Sequence, residues 1–330
     1  MTMTRGTFDL EFQQQKFPID GLDFRPSISY LNHFSVPLTF ATRRISKMAA
    51  RIGYVPKKAM PFDAKVFEII GADETLDIAK HEMTLLPPFP ADAIIHDAAC
   101  GLGPVTESII ATGPPNTIKI EATDLAPPMV GIYNNNATGK KWPSRAVTMD
   151  AQKLTFPDST FSHVFLSFGL PILENPVTAA KEMYRTLKPG GTAVTAFWLQ
   201  IPQGECGQDT RRAIWGPDAK LAIEPNPRHK DRDYLRDLLV EGGFKFEVVE
   251  LYEKSATLPV EDLDIFSTAI WSAIGQPAGG WTEEDDEKWD VAVVKYKELL
   301  QKKSGFNRDA DGKITLTAIA QIAIVRKTSL

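Results

Sequence analysis

Residues 94–105, Ile94-Ile95-His96-Asp97-Ala98-Ala99-Cys100-Gly101-Leu102-Gly103-Pro104-Val105, decide how this chain folds. They read as a short strand ending at Asp97, a tight turn of small residues and a helix opening near Val105. Small residues let a ligand approach the turn's backbone closely, and the helix N-terminus beyond offers unpaired N–H groups. An ordinary tight turn between strand and helix would look the same, so the reading depends on what lies around it.

Three stretches at matching distances supply that context. Ile118 to Asp124 is a second strand ending in an acid, and Asp124 lies 21 positions after Gly103. That is the spacing at which a doubly wound fold places a carboxylate on ribose hydroxyls. A carboxylate suits a vicinal diol because it accepts two hydrogen bonds. Within Val147 to Gln152 a third strand ends in an acid, Asp150, an acceptor for an adenine amino group. Arg185-Thr186-Leu187-Lys188-Pro189-Gly190-Gly191 reads as a helix stop, followed by the apolar strand Thr192 to Trp198.

Together these resemble the class I S-adenosylmethionine-dependent methyltransferases. Asp97 to Gly103 is similar to their D-x-G-x-G-x-G loop, with Ala99 in place of the first glycine. The run from Asp150 through Ser167-Phe168-Gly169-Leu170 to Lys188-Pro189-Gly190-Gly191 resembles the ubiquinone/menaquinone-biosynthesis subgroup, over roughly residues 93–200. A looser likeness runs to the C-terminus. It is to fungal secondary-metabolite methyltransferases, including the thiol methyltransferases of epidithiodioxopiperazine pathways, and rests on Gly243-Phe244, the 263–274 helix and Trp281-Thr282-Glu283-Glu284.

The resemblance implies an α/β fold: a Rossmann-like, mostly parallel seven-stranded sheet with helices on both faces. A helical N-terminal segment (1–90) would form a lid, residues 91–200 the cofactor-binding core, and 201–330 the substrate cap helices and closing strands. The implied cofactor is S-adenosyl-L-methionine. Its expected contacts are Asp97, Ala99, Gly101 and Gly103 in the loop, Asp124, Leu125 and Met129 around the ribose and adenine, Asp150 and Ala151 at the adenine edge, and Ser167 with Phe168. Tyr30, His33, Phe34 and Trp198 are the expected substrate contacts, with Phe266 and Trp271 as further candidate walls. No catalytic residue is assigned.

Composition narrows the function classes. The chain has 330 residues, 43% hydrophobic and 24% charged, with a formal net charge of −5. That is globular composition. Without basic blocks it is a poor candidate for nucleic acid or anionic membranes. Two cysteines, Cys100 and Cys206, make a structural disulfide improbable and suggest a reducing, cytoplasmic setting. No run reaches membrane-span length, and Met1 to Asp20 lacks a signal-peptide core. The expected partner is a small molecule, with a homodimer left open.

Other features read more plainly. Asn307 to Gly312 imitates the start of a calcium loop, but Ala318 stands where its glutamate belongs, so a polar turn is the better reading. His96 and His163 read as packed strand residues, and His229 as a solvated loop residue. No residues have metal-ligand spacing, so no metal is expected. The expected activity is methyl transfer to oxygen, sulfur or nitrogen of a small hydrophobic secondary metabolite. The competing reading is a methyltransferase-like protein that binds the cofactor without methyl transfer, as a pericyclase or a regulator.

Overall fold

The computed structural model describes residues 54–61, 64–70, 72–222 and 227–328. Tyr30, His33 and Phe34 lie outside them. Two helices, α1 (Ala64–Ile70) and α2 (Ala72–Thr84), precede the first strand. Then strands and helices alternate: β1 (Ile94–Ala98), α3 (Pro104–Ala111), β2 (Lys119–Asp124), α4 (Pro127–Lys140), β3 (Ser144–Thr148), β4 (Phe161–Phe165), α5 (Pro176–Thr186) and β5 (Leu187–Gln200). The chain continues through α6 (Pro202–Trp215), α7 (Tyr234–Glu241), β6 (Val249–Val260), α8 (Leu263–Ile274), α9 (Glu283–Glu287), α10 (Trp289–Leu300), β7 (Phe306–Arg308) and β8 (Ile314–Arg326).

The sheet runs β3-β2-β1-β4-β5-β8-β6. Strands β1 to β5 are mutually parallel, and β8 is antiparallel to both β5 and β6. The seven-stranded Rossmann-like expectation therefore describes the main path. An eighth strand, the three-residue β7, pairs only with β8. Strand order reverses between β1 and β4, and in open α/β sheets the ligand crevice lies outside the carboxyl ends at that point.

Alternation along the strands builds a core on each face. Ile95, Ile120, Phe165, Val194, Ala196 and Ile322 point toward α2 and α3. Ala98, Val164, Leu166, Ala193 and Ala323 point toward α5 and α7. A third core, around Trp271, Trp281, Trp289 and Tyr296, joins α6, α8 and α10 into a helical cap. Ile69 and Ile70 of α1 pack against it.

Local differences from the sequence reading have physical causes. Lys188-Pro189-Gly190-Gly191 is an irregularity inside β5, since Phe161 pairs with Leu187 but His163 pairs with Thr192. Gly190 takes a φ of +77°, and the irregularity is held to β8's end by Gly190 N–H to Lys327 O and Lys327 N–H to Gly191 O. Strand β6 starts at Val249, directly after a 3₁₀ turn at Phe246–Val248. Lys288 separates α9 from α10. Helix α6 had no sequence signal beyond Pro202 at its start. Its buried Gln203, Gln208, Thr210 and Arg211 break the apolar stripe that periodicity detects.

Candidate functional site

The glycine-rich turn follows β1 directly, and its backbone runs left-handed at alternate residues. Ala99 has φ +52°, Gly101 +52° and Gly103 +94°. Two of the three are glycines, for which that conformation carries no Cβ penalty. Ala99 stands where the resembled motif has glycine and accepts the strained geometry. A Cβ built at Gly101 meets nothing within 4 Å, so this backbone is open to close approach. At Gly103 the same atom would lie 2.5 Å from the Trp142 ring, so that glycine serves packing.

Two strand-end acids fasten this turn. Asp97, on β1, accepts from the Thr106 N–H at 3.2 Å and from its hydroxyl at 2.7 Å, tying strand β1 to helix α3. Asp124, ending β2, accepts from Gly101 N–H at 3.0 Å and from Ala126 N–H at 2.8 Å. Each of its oxygens retains a lone pair for a further donor. Burial pushes the Asp97 carboxyl up to about 7, despite the Thr106 bonds, and burial also raises Asp124. Met149 N–H donates to Asp124 O, which brings the end of β3 alongside. There Asp150 accepts from the Gln152 backbone at 2.8 Å and from its side-chain amide at 3.0 Å. Ala151 is buried, while Leu125 and Met129 at the start of α4 are half-buried.

Strand β4 completes the crevice. The chain beyond it stays against β5 through Phe168 N–H to Ala196 O, with Phe168 at φ +62°. The Phe168 ring stacks on Trp198, centroids 4.5 Å apart. Trp198 belongs to the core beneath α2, whereas Phe197 packs on the opposite face, as strand alternation requires. Ser167 donates to Glu82 of α2 at 2.6 Å. Thus Asp97, Ala99, Gly101, Gly103, Asp124, Leu125, Met129, Asp150, Ala151, Ser167 and Phe168 all fall at the carboxyl ends of β1 to β4. Phe266 and Trp271 do not join them. Both are buried in the cap core, Trp271 against Trp215, Trp281 and Tyr296.

Two buried carboxyls of α2 were missed from sequence, one of them bonded to Ser167 beside this crevice. Glu74 and Glu82 lie on α2 in the same stripe as Ile78, at i, i+4 and i+8. Burial pushes each up to about 8. Glu74 accepts from the Gln203 amide at 2.6 Å. Acids at apolar spacing were the available signal.

The remaining polar residues are structural. His96 is buried, bonds Thr123 at 2.9 Å and stacks on Phe161, and burial lowers it to about 3. His163 is packed edge-on against Phe89. Asp309 closes a polar turn by accepting from Asp311 N–H and Lys313 N–H. Among the described residues no group of three or more His, Cys, Asp or Glu could hold a metal ion. No helix among them is long and apolar enough to cross a membrane.

A parallel sheet reversing at β1/β4, a left-handed glycine turn after β1 and an acid ending β2 define a Rossmann-like methyltransferase. The methyltransferase domain family matches residues 96–195. Methyltransferase tpcH of Aspergillus fumigatus is 24% identical over 256 residues, covering 71% of this chain and 84% of that protein. The ubiquinone/menaquinone biosynthesis C-methyltransferase UbiE of Burkholderia cenocepacia is 33% identical over 172 residues, 48% of this chain and 69% of that one. The crystal structure of BH2331 from Bacillus halodurans aligns with 77% of this chain and 99% of its own at a TM-score of 0.52 and 17% identity, a likeness of fold. The chain belongs to the class I S-adenosylmethionine-dependent methyltransferases.

Proposed function

We propose that this chain methylates a small hydrophobic metabolite, using S-adenosyl-L-methionine held in the crevice at β1/β4. The observation that carries the reading is the junction of Asp124 with the turn. One carboxylate bonds Gly101 N–H while its remaining lone pairs stay available for a ribose diol, beside the turn backbone that is open at Gly101. Asp150 and Ala151 border the adenine, by a side-chain acceptor and a backbone N–H. The cofactor supplies a methyl group already activated on a sulfonium.

The protein's own work is therefore mainly geometric. Reacting atoms must be held roughly 3–3.5 Å apart and aligned, which accounts for much of a barrier without acid or base. The Phe168–Trp198 stack gives the crevice an apolar aromatic wall suited to a planar acceptor. The absence of a histidine in this wall among the described residues fits an acceptor that ionises readily, a thiol or acidic phenol before an amine. Because the Burkholderia relative is named a C-methyltransferase, carbon joins oxygen, sulfur and nitrogen as an acceptor atom. A metal has no role in this reading.

Titration calorimetry with S-adenosylhomocysteine tests the cofactor half. The wild type binds and Gly101→Val does not, because the valine side chain fills the open approach; normal binding by Gly101→Val overturns the assignment. Incubation with methyl-labelled cofactor, a metabolite extract and excess chelator tests the rest. Label in a small apolar product is expected. Preferred labelling of nucleic acid or protein, or loss of transfer with chelator, contradicts it.

A further inference from the structure

Helix α2 lies outside the residues matched by the methyltransferase family, yet its Glu82 carboxyl is bonded to Ser167 just beyond the end of β4, beside the crevice. Glu82 is fully buried, and one of its oxygens accepts from Ser167 at 2.6 Å. The other, Oε2, has no hydrogen-bond partner. Asp97 stands close enough that its charge further raises the Glu82 carboxyl, and Asp124's charge acts on Asp97 in the same way. Among the described residues no basic side chain pairs with any of the three.

Such an arrangement is electrostatically incomplete. A buried carboxylate without a partner is costly, and a second acid beside it compounds the cost. A buried oxygen lacking a donor loses a further hydrogen bond. One ligand chemistry cures both defects: a cation that also donates hydrogen bonds. The cofactor carries two positive centres, a sulfonium and an ammonium. Only the ammonium can donate, so only it satisfies Oε2.

We infer that Glu82, oriented by Ser167 and backed by Asp97, receives the α-ammonium group of the cofactor's amino-acid end. The inference rests on the cofactor reading above and adds to it a binding residue from the helix ahead of the core. Glu82 acts on the ground-state complex and is not assigned a part in moving the acceptor's proton.

The test compares two neutral-sulfur ligands, S-adenosylhomocysteine, which keeps the ammonium, and 5′-methylthioadenosine, which lacks the whole amino-acid end. Their affinities are measured by calorimetry, the weaker by competition, for wild type and Glu82→Gln. Glu82→Gln should bind S-adenosylhomocysteine at least tenfold more weakly and methylthioadenosine unchanged. Its ligand-free thermal midpoint should not fall, because a buried acid has been replaced by a neutral isostere. Ser167→Ala, which removes only the orienting hydroxyl, should weaken S-adenosylhomocysteine by a smaller factor and spare methylthioadenosine. It keeps the inference testable should Glu82→Gln fail to fold. Unchanged S-adenosylhomocysteine affinity in these variants overturns the inference, as does an equal loss for both ligands. Failure of the wild type to bind either ligand sinks the cofactor reading itself.

Discussion

Ala99 and Gly169 show how closely the turn is fitted. A Cβ added at Gly169 would lie 2.9 Å from the Ala99 methyl and 2.7 Å from Leu166 Cδ2. The methyl that makes Ala99 depart from the family's glycine thus occupies space that Gly169 leaves free. Gly169→Ala should destabilise the protein by about 1–3 kcal/mol, as overpacking does. Ala99→Gly/Gly169→Ala should recover part of that loss, beyond the sum of the single changes, in a denaturant double-mutant cycle. Strict additivity would show that the two positions do not touch. At Asp124 the effect should appear in binding. Asp124→Ala removes a charged acceptor, worth roughly 1.5–3 kcal/mol, so affinity for S-adenosylhomocysteine should fall by about one to two decades. Unchanged affinity would move the ribose contact elsewhere, with Glu121 the next candidate. The residues of this turn were legible because glycines and strand-end acids at fixed spacing are local signals. Glu82 was not, because its meaning comes from Ser167, 85 residues away.

Elements with a strong period were legible, and those held by long-range polar contacts were not. Helix α5, with Ala180 and Met183 on a buried face, declares itself in sequence. Helix α6 carries Gly204 and Gly207, and Gly207 is needed because a Cβ there would come within 3.0 Å of Ile274. Such a helix exists through its contacts and not through propensity. Its Arg211 forms a buried ion pair with Asp285 at 2.6 Å and lies over the Trp215 ring at 3.8 Å. Asp285 also completes the capping box of α9 by accepting from Thr282. Removing one partner of a buried pair leaves an uncompensated charge, at a cost of about 3–5 kcal/mol. Arg211→Met should therefore loosen the cap, with faster hydrogen exchange in α8 to α10 and little change in β1. Equal protection of the cap in variant and wild type would show that the pair carries no such weight.

For the molecule as a whole, buried acids and buried histidines among the described residues set a pH dependence. Glu74 and Glu82 are pushed up to about 8 and Asp97 to about 7, in each case chiefly by burial. Between roughly pH 4.5 and 8 the folded, ligand-free protein therefore holds protons that the unfolded chain has released. The contribution of these acids is highest at the acid end of that window and is lost as pH rises through the folded values. The lowered carboxyls of Glu182, Asp231 and Asp286 act below the window, but burial also lowers His96 to about 3 and His163 to about 4, and these oppose the fall below about pH 6.5. Thermal melts of the ligand-free protein should fall between about pH 6.5 and pH 8, where the histidines no longer oppose the acids, and Glu74→Gln with Glu82→Gln should flatten the slope. A rising midpoint over that range would mean that these carboxyls are ionised throughout. The sheet, its reversal point and the glycine turn were readable because each rests on short-range pattern. The cap was not, since its aromatic residues, expected as pocket walls, hold one another. The central claim is that the acids ending β1 to β3 and the carboxyl from α2 surround one cofactor. A crystal structure with S-adenosylhomocysteine tests it most directly. The ribose hydroxyls should lie on Asp124, the adenine beside Asp150 and Ala151, and the ammonium at Glu82 beside Ser167. A nucleoside bound away from Asp124, or an amino-acid end turned away from α2, would contradict the account.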